Sequence, residues 1–555
     1  MKIRKSVSVG AIVFIGLLFV GLVYALTDNL RTNLEELDQI AAVVRSNYME
    51  EVDVQNLVKG GIDGMLSTLD PYSNYLEPKQ YRALMEDTQG QFEGLGIEIS
   101  VKEGWLTVIS PLEDTPAERM GIQAGDRIVK IEGISTQGIT EDEAVSKLRG
   151  KKGTVVHITV EREGIDQPME YAIERDVISI RSVPYYGMAA EKIGYVRLNR
   201  FSDISANEVK EAVSDLKRKN IQGLILDLRG NPGGLLTEAV KVTNVFLEPE
   251  KLVVSIKGKA KAQNKEFYAY DKPLYPQLPF AVLVDGGSAS GSEIVAGAIQ
   301  DWDRGVIIGD TTFGKGLVQT IFNLADGTGL KLTTAKYYTP SGRCIQKPED
   351  LKNDTSETKA SAGSDSLRSD SAQTKQRYFT QGGRVVYGDG GIAPDVHVPY
   401  PDLSPLEYNL LAKLTFFDFA VHYTSTHPQL PKDLEVDEKM LNEFIQFVKG
   451  KNFSYQTSSE LELDKLKEAI KGEGRSEAVN QKIRELEKLI ESEKESDYRK
   501  SEAYIKSEIK ENILTKLYGQ NAKYEEVWFK DQPQILKAIQ ILSHPADYKG
   551  VLSAK

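Results

Sequence analysis

The sequence contains little cysteine and little histidine, and both scarcities limit the chemistry that it can support. Its 555 residues include one cysteine, Cys344, and five histidines. A single cysteine excludes an intramolecular disulfide framework, and no His/Cys cluster indicates a metal site. The formal net charge of −12 argues against nucleic acid as the main partner. We therefore expect no metal and no organic cofactor.

The chain is too long for one hydrophobic core, so we expect three or four domains. Hydrophobic residues make up 40% of it and charged residues 27%, which is typical of a globular protein. The pattern predicts a multidomain α/β fold, in which a small β-rich domain is inserted before a core built on a mostly parallel βαβ-type sheet. The predicted segments are a helical N-terminal region (29–88), the β-rich domain (89–177), the core (178–400) and a helical C-terminal extension (401–555).

The first 28 residues are predicted to be a transmembrane anchor or a signal segment. Three basic residues within the first five positions precede an uncharged run over 6–27, which is long enough to span a bilayer. The positive charge predicts that the N-terminus stays inside and the rest is exported. Cleavage after Ala25 is the alternative to a retained anchor. In either case we expect the folded part to face the periplasm or the cell exterior.

Two later segments are strongly polar. Residues 347–380 are rich in Ser, Thr, Asp and Lys, which predicts a disordered insertion in the core. Residues 461–516 combine i,i+4 charge pairs with leucines at helical spacing. A solvated helical appendage is the favoured interpretation of this tail, and oligomerisation or partner binding is the alternative.

Ser290 and Lys315 are the main candidates for catalysis. The segment VLVDGGSASGSEIVAGAIQ places Ser290 after an apolar strand and at the start of a helix, and Lys315 follows 25 residues later between two glycines. Serine chemistry needs a base, and none of the five histidines is near this segment. A lysine kept neutral by burial can serve instead. Alternatively, Ser288, Ser290 or Ser292 only caps the helix, and the local pattern does not decide between these interpretations.

Lys315 has a competing interpretation as part of a phosphate-binding loop. GDTTFGKG fits G-x-x-x-x-G-K, but Gly316 stands where such a loop needs Ser or Thr. The following LVQTIFNL is predicted to be a strand, whereas a phosphate-binding loop leads into a helix. A solvated surface lysine is a further alternative. If positions 315, 317 and 319 lie in one strand, they share a face, so that the Gln319 amide could orient the lysine amine.

Two glycine-rich turns are candidates for binding through backbone N–H groups. RGNPGG (229–234) follows the apolar strand GLILDL, and α/β folds build their sites at such strand ends. GLGIEI (94–99) precedes a strand of the β-rich domain; such a loop can hold the carboxylate of a peptide that pairs with the strand. A plain strand-to-helix turn and a hairpin turn are the respective alternatives.

Together these features resemble the carboxyl-terminal processing proteases, a family of exported serine endopeptidases with a Ser–Lys dyad and a PDZ domain. The likeness covers about 34–398, and the motifs that carry it are LDPYSNYL, DLRGNPGG, GSASGSEIVAGA, GDTTFGKGLVQT, YYTPSGRCIQ and GGIAPD. The resemblance implies cleavage of exposed C-terminal regions of exported proteins through an acyl-enzyme. It also implies that Ser290 is the nucleophile, that Lys315 is the general base and that Gln319 positions the lysine.

The resemblance further assigns roles to backbone groups. It implies an oxyanion hole made by the N–H of Gly291 together with Gly233 or Gly234. It makes the β-rich domain a PDZ-like domain that binds substrate C-termini through residues of the carboxylate loop, namely Gly94, Leu95, Gly96 and Ile97. A homo-oligomer is an open possibility. A PDZ scaffold on an inactive core and a nucleotide-binding protein are the competing function classes.

Overall fold

The computed structural model describes residues 31–347, 376–473 and 477–553. The predicted anchor or signal segment (1–28) and nearly all of the predicted polar insertion lie outside the described residues. Within the described ranges, no helix has the length and apolarity needed to cross a bilayer. The described chain forms two compact units; the first runs to Tyr81 and includes Gln319–Thr333, and the second holds the rest.

The elements are numbered in chain order. The helices are 31–47 (α1), Val54–Ser67 (α2), Pro78–Gln89 (α3), Pro116–Arg119 (α4), Glu141–Leu148 (α5), Ser205–Arg218 (α6), Leu236–Asn244 (α7), Gly291–Asp301 (α8), Pro405–Ala412 (α9), Thr415–Thr426 (α10), Glu438–Gly450 (α11), Ser458–Glu473 (α12), Glu477–Lys500 (α13), Glu502–Tyr518 (α14), Phe529–Asp531 (α15), Pro533–Ser543 (α16) and Pro545–Leu552 (α17). The strands are Asn74–Leu76 (β1), Gln91–Gly94 (β2), Ile97–Lys102 (β3), Trp105–Pro111 (β4), Arg127–Ile131 (β5), Ile134–Ser135 (β6), Val155–Glu161 (β7), Met169–Glu174 (β8), Asp176–Ser179 (β9), Tyr185–Ala190 (β10), Ile193–Arg197 (β11), Gly223–Asp227 (β12), Leu252–Gly258 (β13), Lys265–Tyr268 (β14), Phe280–Val284 (β15), Val306–Gly309 (β16), Leu317–Asn323 (β17), Gly329–Tyr338 (β18), Arg377–Phe379 (β19), Val385–Tyr387 (β20) and Val396–His397 (β21).

The first unit is helical apart from short strand pairings. Helix α2 begins where the Asp53 carboxylate accepts hydrogen bonds from the N–H groups of Gln55 (2.8 Å) and Asn56 (3.4 Å), which is the usual N-cap arrangement. Strand β1 pairs antiparallel with the first residues of β18. The N-terminal region is therefore helical as predicted, and it also contributes one strand to a sheet.

The second unit contains the predicted βαβ core. Its main sheet has the order β10-β11-β12-β15-β16-β21, and all pairs except β10/β11 are parallel. Helices α6 and α8 follow β11 and β15 along the chain, as the alternating pattern predicts. Strand β13 lies in the same stretch of the chain, but it is not part of the main sheet and pairs antiparallel with β14 and β18. Hydrophobicity identifies a strand but does not identify the strands that pair with it.

Both faces of the main sheet are covered, and the C-terminal extension covers one of them. Val196, Leu226 and Val282 pack in a core with α6, α7 and α8. Their neighbours in sequence point to the other face and pack against residues of α16; that second core includes Tyr195, Ile225, Leu283, Ile535, Ala538 and Ile541. A parallel sheet needs cover on both faces. The end of the chain supplies it, so the prediction of a solvated appendage is wrong for this part.

The rest of the extension forms a helical domain with its own core. Residues of α9, α10, α11 and α14, including Leu410, Phe416, Phe444 and Ile509, are fully buried together. Helices α12 and α13 are mostly exposed. The charge-dense segment is therefore solvated as predicted over α12 and α13, whereas its last part, in α14, is packed into the core of this domain.

The β-rich domain is a small antiparallel sheet with the order β3-β4-β5-β7-β8. Strand β3 is an edge strand, and α5 begins with a capping box in which Thr140 and Glu143 exchange hydrogen bonds. The domain packs against the helical extension: a Cβ on Gly125 would lie 2.6 Å from the Val421 side chain, and Lys102 forms an ion pair with Asp418.

The polar insertion ends earlier than predicted. Residues 377–379 form β19, which pairs with β20, although we predicted disorder up to residue 380. Tyr378 and Phe379 supply the large side chains that favour a strand there.

Candidate active site

Three loops of the second unit follow parallel strands and therefore lie at one edge of the main sheet. Residues 228–235 follow β12, 285–290 follow β15, and 310–316 follow β16. The carboxyl ends of parallel strands are where α/β folds build their sites. The candidate residues Gly233, Gly234, Ser290, Gly291 and Lys315 all come from these loops or the helix start that follows.

Ser290 adopts a backbone conformation that is rare for a residue with a side chain. Its φ is 51° and its ψ is −109°, and such strain is typical of functional positions. It sits directly before α8, as a nucleophile does at the strand-to-helix turn of α/β-hydrolases. Its N–H donates to Glu293 Oε2 (2.8 Å) and its carbonyl accepts from the Glu293 N–H (2.9 Å). Ser290 thus caps the start of α8 through its backbone N–H and carbonyl groups.

The two neighbouring serines have structural partners. Ser288 donates its hydroxyl to the Leu228 carbonyl (2.8 Å), and Ser292 donates to the Asn231 carbonyl (2.9 Å). Both bonds join the Ser290 turn to the turn after β12. Of the three serines considered for capping, Ser288 and Ser292 therefore hold two loops together.

Glu293 joins the backbones of Ser290 and Lys315. The Glu293 side chain is fully buried, and its Oε2 accepts from the N–H groups of Ser290 (2.8 Å) and Lys315 (3.0 Å). Its Oε1 accepts from Thr312 Oγ1 (2.5 Å) and the Gly314 N–H (2.7 Å). Burial raises the pKa of Glu293 from 4.5 to about 7, although these four hydrogen bonds act to lower it.

Tyr337 joins the same two residues through their carbonyl groups. Its buried Oη donates to the Lys315 carbonyl (2.6 Å) and lies 3.2 Å from the Ser290 carbonyl. Burial raises the pKa of Tyr337 well above 10, so the hydroxyl keeps its proton at neutral pH. Glu293 at the N–H groups and Tyr337 at the carbonyls therefore fix the Ser290 and Lys315 backbones relative to each other.

Lys315 lies in the loop before β17, which begins at Leu317. The prediction that it shares a strand face with Gln319 is therefore wrong, because only 317 and 319 belong to the strand. A strand rather than a helix follows the loop, which contradicts the phosphate-binding interpretation. Gln319 belongs to the first compact unit, where its amide donates to the Tyr72 carbonyl (2.9 Å). Its action on Lys315 stays a prediction.

Gly233 lies against the backbone at Ser290. A Cβ on Gly233 would lie 2.7 Å from the Ala289 carbonyl oxygen and 2.8 Å from both Gly291 N and Ser290 Cβ. The φ values of Gly233 and Gly234 are +97° and +142°, which favour glycine. The Gly233 N–H donates to Asn231 Oδ1 (2.9 Å). The structure thus brings Gly233, Ser290 and Gly291 together.

The four carboxylate-loop candidates form the connection between β2 and β3. Gly94 ends β2, and Ile97 begins the edge strand β3. Leu95 is buried, and its carbonyl accepts from the Ala117 N–H (3.0 Å). Gly96 has a φ of +79°, and a Cβ there would lie 2.4 Å from Thr115. An open strand edge beside a loop is the geometry that peptide addition requires.

Four family models match this chain. "Peptidase family S41" matches 192–356, and "PDZ domain" matches 107–162. "Activating protease CtpB N-terminal domain" matches 24–80, and "Probable PDZ-protease, C-terminal helical domain" matches 406–542. The carboxy-terminal-processing protease of Bartonella bacilliformis is 41% identical over 352 residues, which cover 62% of this chain and 80% of that protein. The chain belongs to the carboxy-terminal-processing proteases.

One further relative agrees with this assignment. Carboxy-terminal processing protease CtpA of Bacillus subtilis is 37% identical over 317 residues, covering 57% of this chain and 67% of that protein. Among solved structures, the photosystem II D1 C-terminal processing protease is 25% identical with a TM-score of 0.34, covering 65% of this chain and 92% of that one. The predicted resemblance is thus confirmed, and this protease is a serine-type peptidase with a PDZ domain.

Sequence reasoning missed two residues at the centre of this protease. Glu293 stands three residues after Ser290 at a helix start, and S-x-x-E is the signature of a capping box. The capping-box pattern could therefore have pointed to Glu293. Tyr337 has no comparable signal, because it reaches the loops of Ser290 and Lys315 from a strand, 47 positions beyond Ser290.

The structure also bears on cofactors. Among the described residues, no group of three or more His, Cys, Asp or Glu is arranged to hold a metal ion. No described residue of this protease is therefore assigned to metal binding.

Proposed function

We propose that this protease cleaves exposed C-terminal regions of exported proteins, with Ser290 as nucleophile and Lys315 as general base. The observation that carries the proposal is the pair of shared hydrogen-bond partners. Glu293 accepts from both N–H groups, and Tyr337 contacts both carbonyls. Two loops separated by 25 residues are thereby fixed at one site, beside a serine whose strained backbone is typical of a nucleophile.

The proposed reaction passes through an acyl-enzyme. Neutral Lys315 takes the proton of the Ser290 hydroxyl while Oγ forms a bond to the scissile carbonyl carbon. The C–N bond then breaks, and the lysine gives that proton to the leaving amine. In the second half, Lys315 takes a proton from water, which attacks the ester, and returns it to Ser290 Oγ as the acid leaves. Gln319 is proposed to orient the lysine amine.

Backbone N–H groups are proposed to hold the oxyanion. The Gly291 N–H lies at the start of α8, where the helix dipole favours negative charge. Gly233 and Gly234 are the candidates on the facing turn. Because the Gly233 N–H already donates to Asn231 (2.9 Å), its role is to leave space beside the Gly291 N–H. Gly234 is therefore our preferred second donor.

The PDZ domain is proposed to deliver the substrate. A C-terminal tail would add as a strand to the open edge of β3, and its carboxylate would bind backbone N–H groups of Leu95, Gly96 and Ile97. We further propose that the segment 1–28 directs the protease to the membrane, with the folded part facing the periplasm or the cell exterior. Assembly into a homo-oligomer remains part of this proposal.

The test is hydrolysis of a fluorogenic peptide with a free C-terminus by purified variants. Ser290→Ala and Lys315→Ala should each abolish turnover without unfolding the protein, whereas Lys219→Ala, an exposed lysine at the end of α6, should behave like wild type. A fluorophosphonate probe should label wild type and should not label Ser290→Ala. Normal turnover by either dyad variant would overturn the proposed mechanism.

A further inference from the structure

The oxyanion turn begins with an arginine whose charge is buried. Arg229 follows β12 and is 3% exposed. Its Nε lies 2.9 Å and 3.0 Å from the two carboxylate oxygens of Asp227, and its Nη2 lies 2.6 Å from Oδ2. Burial alone would raise the pKa of Asp227, but Arg197 and Arg229 lower it well below its usual range. This carboxylate therefore stays ionised and holds one side of the guanidinium.

The other side of the guanidinium is held from outside the β12 loop. Arg229 Nη1 donates to Gln534 Oε1 (3.0 Å), to Gln532 Oε1 (3.2 Å) and to the Tyr400 hydroxyl (2.8 Å). Both glutamines belong to the helical extension, at the start of α16. The Trp528 ring, at the end of a π-helical turn, lies 5.8 Å from Arg229 Cζ. The extension thus supplies most of the contacts on this side.

Gln534 is the most constrained of these partners. Its side chain is 1% exposed, and its amide nitrogen donates to the Val398 carbonyl (2.7 Å) while its oxygen accepts from Arg229. Both ends of the amide are therefore used. Removing it would take one acceptor from the guanidinium and a donor from the Val398 carbonyl, and Arg229 Nη1 would be free to shift toward its two remaining acceptors, Tyr400 and Gln532.

The backbone from Arg229 to Gly233 transmits the position of the guanidinium to the site. The Arg229 N–H donates to Asp227 Oδ1 (3.0 Å), and the next N–H, of Gly230, donates to Asp285 Oδ1 (2.8 Å) in the Ser290 loop. The Asn231 carbonyl accepts from the Ala289 N–H (3.0 Å). A shift of Arg229 would therefore move the turn that lies against Ser290 and Gly291.

We infer that Gln534 is a positioning residue for the oxyanion turn, so that the helical extension influences catalysis indirectly, through Arg229. This inference rests on the proposed function, because it assigns the turn its catalytic task. It gives the end of the chain a role beyond covering the sheet. A purely structural Gln534 would affect the stability of the fold and would leave the turnover of the folded fraction unchanged.

The experiment compares Gln534→Met with Gln540→Met in the full chain. Methionine keeps the length of glutamine but loses both hydrogen bonds, and Gln540 is an exposed residue of the same helix, so its variant is the matched control. Tyr400→Phe is a milder second variant that removes one acceptor of Arg229. Each protein is assayed for kcat and KM with the tail peptide, for the rate of fluorophosphonate labelling, and for thermal unfolding.

We expect Gln534→Met to lower kcat and the labelling rate by about tenfold or more while KM changes less than about twofold. Loss of a whole oxyanion donor lowers kcat by about 10²–10³. Displacement of the turn should therefore lower kcat by less than that. Tyr400→Phe should show a smaller loss of the same kind, and Gln540→Met should match wild type.

Two outcomes would overturn the inference. In one, folded Gln534→Met and Tyr400→Phe keep wild-type kcat and labelling. In the other, only KM rises, which would indicate that the extension acts on substrate binding. Failure of the proposed function looks different, because Ser290→Ala would then retain turnover.

Discussion

The sharpest prediction concerns Gly233, because there is no room for a methyl group between Gly233 and the Ser290 turn. A Cβ there would lie 2.7 Å and 2.8 Å from backbone atoms of Ala289 and Gly291 and 2.8 Å from Ser290 Cβ. These atoms belong to, or are attached to, a backbone held by hydrogen bonds from Ser290 to Glu293 and from Ala289 to Asn231, and they cannot move aside as a flexible side chain would. Gly233→Ala should therefore fill the space beside the Gly291 N–H, where the oxyanion is expected to form.

The effect has two parts that a control variant separates. At a φ of +97° an alanine backbone costs roughly 1–2 kcal/mol, which lowers stability only. Gly230→Ala carries a similar backbone cost at a φ of +64°, but its Cβ would have no atom closer than 3.9 Å. The free energy of unfolding should fall by a similar amount in both variants, because both place an alanine at a positive φ. Only Gly233→Ala should lose catalysis, by about 10²–10³ in kcat, or about 3–4 kcal/mol.

The assay measures kcat and KM with the tail peptide under conditions where each variant is fully folded, together with urea unfolding. If folded Gly233→Ala turned over within threefold of Gly230→Ala, Gly233 would not border the oxyanion site, and the assignment of the turn would fail.

Three further variants test the surroundings of the site. Tyr337→Phe removes the buried hydroxyl that contacts the Ser290 and Lys315 carbonyls, which should lower the free energy of unfolding by about 1–3 kcal/mol. Because the two backbones are then held less firmly, kcat should fall roughly tenfold; an unchanged kcat would show that the hydroxyl is not needed. Because the folded-state pKa of Glu293 is raised from 4.5 to about 7, its stabilising contribution is present below pH 4.5 and is lost as the pH rises to about 7. Relative to Glu293→Gln, wild type should thus lose about 3 kcal/mol of unfolding free energy between pH 4 and pH 8, and parallel pH profiles in urea unfolding would contradict this. Gly96→Ala places a Cβ 2.4 Å from Thr115 and should weaken tail-peptide binding about tenfold by fluorescence anisotropy, whereas Gly104→Ala, at the same φ of +79° with open space around it, should bind normally.

The order of elements and the main candidates could be predicted from sequence because they are local patterns. The apolar runs of β12, β15 and β16, each followed by a small-residue turn, place Ser290 and the 229–234 turn correctly at strand ends. The helix Gly291–Asp301 also begins directly after Ser290, which the sequence placed at a helix start. The family resemblance added the residue roles.

The connections between these patterns could not be predicted, because they depend on which segments meet in space. Glu293 contacts Lys315 across 22 positions, and Arg229 contacts Gln534 across 305. Composition marks the C-terminal segment as helical and charged, but it does not reveal that Ile535 and Ala538 cover one face of the main sheet. The predicted strand face shared by positions 315 and 319 failed for a local reason, since the strand begins only at Leu317 and Lys315 lies in the loop before it.

Local patterns in the sequence identify the family, most helices and strands of the core and the candidate reactive side chains, because each follows from residues that are near one another in the chain. How those candidate side chains are held depends on contacts that form only in the folded chain. Buried carboxylate, phenol and guanidinium groups each need partners once they leave water. Glu293, Tyr337 and Arg229 find those partners on loops and helices that the fold brings together from distant parts of the chain.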